Sequence, residues 1–102
     1  MDKKGFENVV LPELVKFDDK NKEVVGEYVS LEKSKKYADS MALTFINEKV
    51  LKMVFVNQVG TRLIETAKLK TGDEFILTFI GMKDNIDKSQ KYMDFDLKVK
   101  RN

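Results

Sequence analysis

The chain contains no cysteine and no histidine. Without cysteine it has no disulfide framework, no thiolate metal site and no cysteine nucleophile. Without histidine it lacks the commonest general base, the usual zinc and iron ligand, and the one side chain that changes charge near neutral pH unaided. These two absences leave few routes to catalysis, so neither an enzyme nor a metal or cofactor site is expected. No apolar run approaches the roughly 18 residues of a membrane span. The start, Met1-Asp2-Lys3-Lys4-Gly5-Phe6, has no apolar export segment. With cysteine missing as well, a cytoplasmic protein that does not enter membranes is expected.

What is present suits one small core. The 102 residues are 42% hydrophobic and 35% charged, too apolar for a disordered chain and too short for two domains. Nineteen basic and 17 acidic residues leave a net charge of +2, which permits a polyanionic partner without requiring one. Residues 1–22 read as an arm. Phe6, Val9, Val10, Leu11, Leu14, Val15 and Phe17 make it apolar enough to pack, and Pro12, the only proline, argues against a helix through it.

Residues 23–102 read as the domain. Val24, Val25, Tyr28, Val29 and Leu31 mark a first strand over 23–31, with Gly26 as a bulge or sharp bend. A second strand over 41–46 and a third over 50–56 flank a tight turn at Asn47-Glu48-Lys49. Leu51, Met53 and Phe55 share one face of the third strand, with Lys52 on the other. Phe45 and Phe55 are both open between core and binding face, core being preferred for Phe55. Val59, Leu63, Ile64 and Ala67 then recur at helical spacing over 57–68, with Asn57 as N-cap and Gly60 weakening the first turn. Thr71-Gly72-Asp73 turns into a fourth strand over 74–80, ended by Gly81. Its apolar residues lie on both faces. The fifth strand, 92–100, alternates strictly: Met93, Phe95, Leu97 and Val99 inward, Tyr92, Asp94, Asp96, Lys98 and Lys100 outward.

Five strands with a helix between the third and fourth predict an all-β fold, a five-stranded Greek-key barrel of the oligonucleotide- and oligosaccharide-binding (OB) type. Closure would remove the apolar sheet edges. An SH3-like barrel and a five-stranded sheet under one helix are the alternatives. In an OB barrel, ligands lie across strands two and three between two loops, here 32–40 and 82–91. Lys33, Lys35 and Lys36 occupy one loop and Lys83, Lys88 and Lys91 the other, with Tyr37 and Tyr92 at their distal ends. Lys49 and Lys52 lie between. Lysines interleaved with exposed aromatics suit a single-stranded nucleic acid, the cations meeting phosphates and the rings stacking on bases. Single-stranded DNA is the expected partner, with RNA as the alternative and homo-oligomerisation open. Asp94 and Asp96 point the same way, but nothing converges on them as a metal site would need. A protein-interaction or assembly module without nucleic-acid binding is the second functional reading, motivated by the two-faced apolar strand Phe75–Ile80.

The run Val25-Gly26-Glu27-Tyr28-Val29, the lysine-rich loop, the helix, Leu69-Lys70-Thr71-Gly72-Asp73-Glu74-Phe75 and Lys91-Tyr92-Met93-Asp94-Phe95 together resemble small OB-fold single-stranded-DNA-binding proteins of bacteriophages. Val10-Leu11-Pro12-Glu13-Leu14-Val15-Lys16-Phe17 is similar to the arm such proteins place before strand one. The resemblance implies a role in phage DNA replication, recombination or repair, in the host cytoplasm. It also implies a basic groove in which Lys33, Lys35, Lys36, Tyr37, Lys52, Lys83, Lys88, Lys91 and Tyr92 contact DNA. The basic end, Lys98-Val99-Lys100-Arg101-Asn102, departs from the acidic tail with which cellular relatives recruit partners, so tail-mediated recruitment is not expected.

Overall fold

The computed structural model describes residues 11–36, 39–84, 86 and 90–102. Within them lie β1 (Glu13–Val15), β2 (Glu23–Lys33), β3 (Met41–Asn47), β4 (Val50–Val56), α1 (Gln58–Ala67), β5 (Glu74–Asp84) and β6 (Lys91–Lys100). They form one mixed sheet in the order β1-β4-β3-β2-β5-β6. The fold is therefore mostly β with one short helix between β4 and β5, as expected. It has six strands rather than five, because three residues of the arm pair in parallel with β4.

β2 organises the sheet. Its first half pairs with β5 and its second half with β3, the two sets of partners meeting at Glu27. To serve both neighbours the strand must coil, and Gly26 is where β3 crosses closest. A Cβ there would sit 2.6 Å from the Ile46 carbonyl oxygen and 2.7 Å from Cδ2 of Phe45. Gly26 itself pairs regularly with Phe75. The irregularity lies between Tyr28 and Ser30, so the glycine serves a close approach rather than the bulge.

The core gathers Val24, Leu43, Phe45, Val54, Val56, Ile64, Phe75, Leu77 and Phe95. Phe45 and Phe75 meet edge to face at 5.6 Å, a favoured aromatic geometry. No strand pairing among the described residues closes the sheet. Its two ends are linked by side chains instead: Phe17, just past β1, packs on Phe95 of β6 at 5.0 Å, and α1 rests on both β6 and β4. Asn57 caps the helix, its Oδ1 accepting from the Gly60 N–H at 3.0 Å while its Nδ2 donates to the Met93 carbonyl at 2.9 Å. Gly60 is buried against Val56 and Phe95, so the residue that weakens the first turn is the one that lets the helix seat. At the other end Arg101 donates to the Ala67 carbonyl at 2.6 Å, a cation where the helix dipole favours one.

Three expectations need correction. Gly81 does not end β5. A bulge between Phe79 and Gly81, with φ 117° at the glycine, carries the strand on to Asp84. β2 also runs on to Lys33, so both loops are shorter than expected. On β4 the faces are exchanged: Val54 and Val56 are buried and Phe55 points outward, paired with Ala42. Lys52, opposite Phe45, takes the inward parity. At the sheet end its stem follows the core side, and its Nζ donates to Asn47 Oδ1 at 3.2 Å, so the charge escapes the interior.

Candidate nucleic-acid interface

The loop 34–40 leaves β2 and enters β3; the loop 85–90 leaves β5 and enters β6. Both emerge at the end of the sheet where α1 begins. The first is drawn together at its base, where Ser34 N–H donates to the Ser40 carbonyl at 3.1 Å and Ser34 Oγ accepts from the Lys36 N–H at 3.1 Å. The second sits on a long hairpin in which Lys83 faces Tyr92 and Asp84 faces Lys91.

A cleft of about 940 Å³ lies between that hairpin and the start of α1. Asp39 of the first loop and Ile86 and Gln90 of the second both line it, so two segments far apart in sequence flank one hollow. A second cleft of about 370 Å³ adjoins it, lined by Lys33 and sharing Asp39, Gln58 and Arg62 with the first. Charge in the larger cleft is close to balanced. Arg62 and Lys91 stand against Asp39, Asp84 and Asp94, and Asp94 is held by Lys83 at 2.6 Å. That contact lowers the Asp94 pKa and raises that of Lys83, chiefly through the hydrogen bond between them. The hollow is therefore no anion pocket in itself; the cations not spent in that balance are Lys33, Lys35 and Lys36, at the end of β2 and just after it.

Lys33 lines the smaller cleft; Lys35 and Lys36 follow it in the chain, and all three are exposed. Lys83, Lys91 and Tyr92 form the rim on the hairpin, Tyr92 being 37% exposed. Tyr37 and Lys88 lie outside the described residues. Lys49 and Lys52 are not between the loops. Measured along β4 at the usual rise per residue, Lys52 lies about 13 Å and Lys49 about 23 Å from Val56, the end nearest the loops, and neither lines the hollow. Arg62 is absent from the sequence expectations, though legible in principle, one turn after Gln58 on the exposed stripe of α1. Phe55, open between core and binding face with core preferred, is turned outward by register alone, because β4 carries apolar residues on both parities. With Phe55 outward, the outer surface of β3 and β4 holds Phe55, Met53 and Leu51 beside the small Ala42 and Thr44.

Comparison of the chain with protein-family models, with curated proteins and with solved structures finds no match. No helix among the described residues is long and apolar enough to cross a membrane.

Proposed function

We propose that the protein is a non-catalytic, largely sequence-independent binder of single-stranded DNA, built on an open variant of the OB barrel, and that it serves phage DNA replication, recombination or repair. The observation that carries the reading is the meeting of the 34–40 and 85–90 loops on one cleft. In support, the order β4-β3-β2-β5-β6 with a helix after β4 suits a partly open Greek-key barrel. On this reading the rim lysines meet phosphates, and the outward Phe55 and exposed Tyr92 offer rings to bases. Base–aromatic stacking contributes about 1–3 kcal/mol per base and tolerates any sequence. The near-neutral cleft floor keeps the strand on the rims and the β3–β4 surface rather than inside the hollow.

Fluorescence anisotropy with labelled oligo-dT tests it. Binding at low salt, preference over duplex of equal length, and weakening in Phe55→Ala or Tyr92→Ala are expected. No binding at about 50 mM salt, where phosphate contacts are strongest, would overturn it. A protein-interaction module is the second reading, favoured by the outward apolar residues Val25, Ile46 and Ile80, which are 40%, 37% and 53% exposed.

A further inference from the structure

Among the described residues β6 is the last strand of the sheet, and no strand pairs with its outer edge. The Phe79 N–H donates to the Lys22 carbonyl, away from β6, so the Phe79–Phe95 pair is a non-hydrogen-bonded one. By alternation the backbone groups of Phe95, Leu97 and Val99 face the free edge. Met93, of the same parity, spends its carbonyl on Asn57, which fixes where that edge begins. Beneath it runs an apolar groove of about 370 Å³, between Leu63 and Ala67 of α1 and Leu97 and Val99 of β6.

The outward side chains along this edge read Asp94, Asp96, Lys98, Lys100: two anions, then two cations, symmetric about Leu97. We propose that β6 pairs antiparallel with β6 of a second copy about a two-fold axis at Leu97. Asp96 then faces Lys98 of the other chain twice over, and Asp94 faces Lys100 in the same way. Leu97 and Val99, whose N–H and C=O groups point outward, supply most of the new ladder, with the Phe95 carbonyl as a further acceptor, since the Phe95 N–H is met by the Asp94 carboxylate; the two Leu97 side chains meet over the groove. A slip by one residue on each strand would set Asp96 against Asp96, so charge selects the register. Isologous pairing of this kind closes on itself and stops at the dimer. Asp94 and Lys100 already have partners within the chain, Lys83 and Glu74. The side chains of Asp96 and Lys98 have no ion-pair partner among the described residues, which leaves the central pair to the second copy.

Sedimentation of the full chain across a concentration series at low and high salt tests the proposal. A dimer that weakens with salt is expected. Asp96→Lys alone and Lys98→Asp alone should each weaken it by about tenfold or more, since two attractive contacts become repulsive. Mixing those two variants, or combining both substitutions in one chain, should restore it, because opposite charges face each other again. Both positions are exposed, and circular dichroism verifies that each variant folds. A chain that stays monomeric at every concentration, or a dimer indifferent to the single substitutions or not restored by mixing, would overturn the proposal.

Discussion

Replacing Gly26 by alanine probes the crossing on which the whole arrangement rests. The added Cβ would lie 2.6 Å from the Ile46 oxygen and 2.7 Å from the Phe45 ring, each well inside van der Waals contact. Neither neighbour can yield easily. The oxygen belongs to the backbone of β3, and the Phe45 ring is 2% exposed and wedged against Phe75. Relief therefore needs β3 to move off β2, taking Phe45 with it. Overpacking of a close-packed core costs about 1–3 kcal/mol, and a contact with backbone belongs at the upper end, about 3 kcal/mol. Against a total stability of about 5–15 kcal/mol for a domain of this size, that is a large fraction. Urea denaturation followed by circular dichroism should show a lower midpoint with an unchanged slope. Gly81→Ala is the internal comparison: no atom lies within 4 Å of its added Cβ, and φ is +117°, so its cost comes from backbone strain alone. If Gly26→Ala stays within about 0.5 kcal/mol of the parent, the range of an ordinary surface change, β3 does not cross β2 as described and the two loops lose their common end.

Further outcomes follow from single contacts. Asn57→Ala removes the helix cap and the tie to Met93, and should cost about 1–2 kcal/mol in the same denaturation assay. Lys49 turns with φ 67° in the two-residue hairpin, a conformation that glycine adopts freely. Lys49→Gly should therefore raise stability by up to about 1 kcal/mol, and a loss would contradict the turn. Asp73 is buried and accepts hydrogen bonds from the Asn102 and Lys70 N–H groups and from Arg101. Those bonds, the one from Asn102 foremost, hold its pKa below the ordinary value. Because the folded pKa lies below the unfolded one, this carboxylate stabilises the fold above about pH 4 and the contribution is lost as pH falls through the folded pKa. Asp73→Asn should thus be less stable at neutral pH, with the gap to the parent closing in acid; a gap that widens in acid would contradict the assignment.

Much of the fold was written in local pattern. The β6 alternation, the Asn57 cap and the hairpin at 47–50 were each legible because a few adjacent residues decide them. β4 was not. Val54 and Val56 compete with Met53 and Phe55 for the core, and the contest is settled by pairing with Leu43 on β3, which no window of the sequence contains. Lys52 pointed the wrong way because a lysine was read as outward, although a long stem at a strand end can follow the core and release its charge. Gly81 announced a break by its residue type, yet its positive φ serves a bulge that lengthens β5 and carries Lys83 and Tyr92 to the cleft. The two lysine-bearing loops were visible as loops, but their shared cleft depends on β2 pairing on both sides. The near-balance of charge within it depends on Asp39, Asp84 and Asp94, which composition could not place.

The most direct measurement of the proposed activity is the salt dependence of oligo-dT affinity for the parent and for Lys33→Ala/Lys35→Ala/Lys36→Ala. Each phosphate neutralised on a single strand adds about −0.7 to the slope of log K against log salt, so the triple variant should lose up to about 2 of that slope while keeping its unfolding midpoint. An unchanged slope would take these lysines out of the binding surface, and salt-independent affinity in the parent would contradict the rim of phosphate contacts altogether.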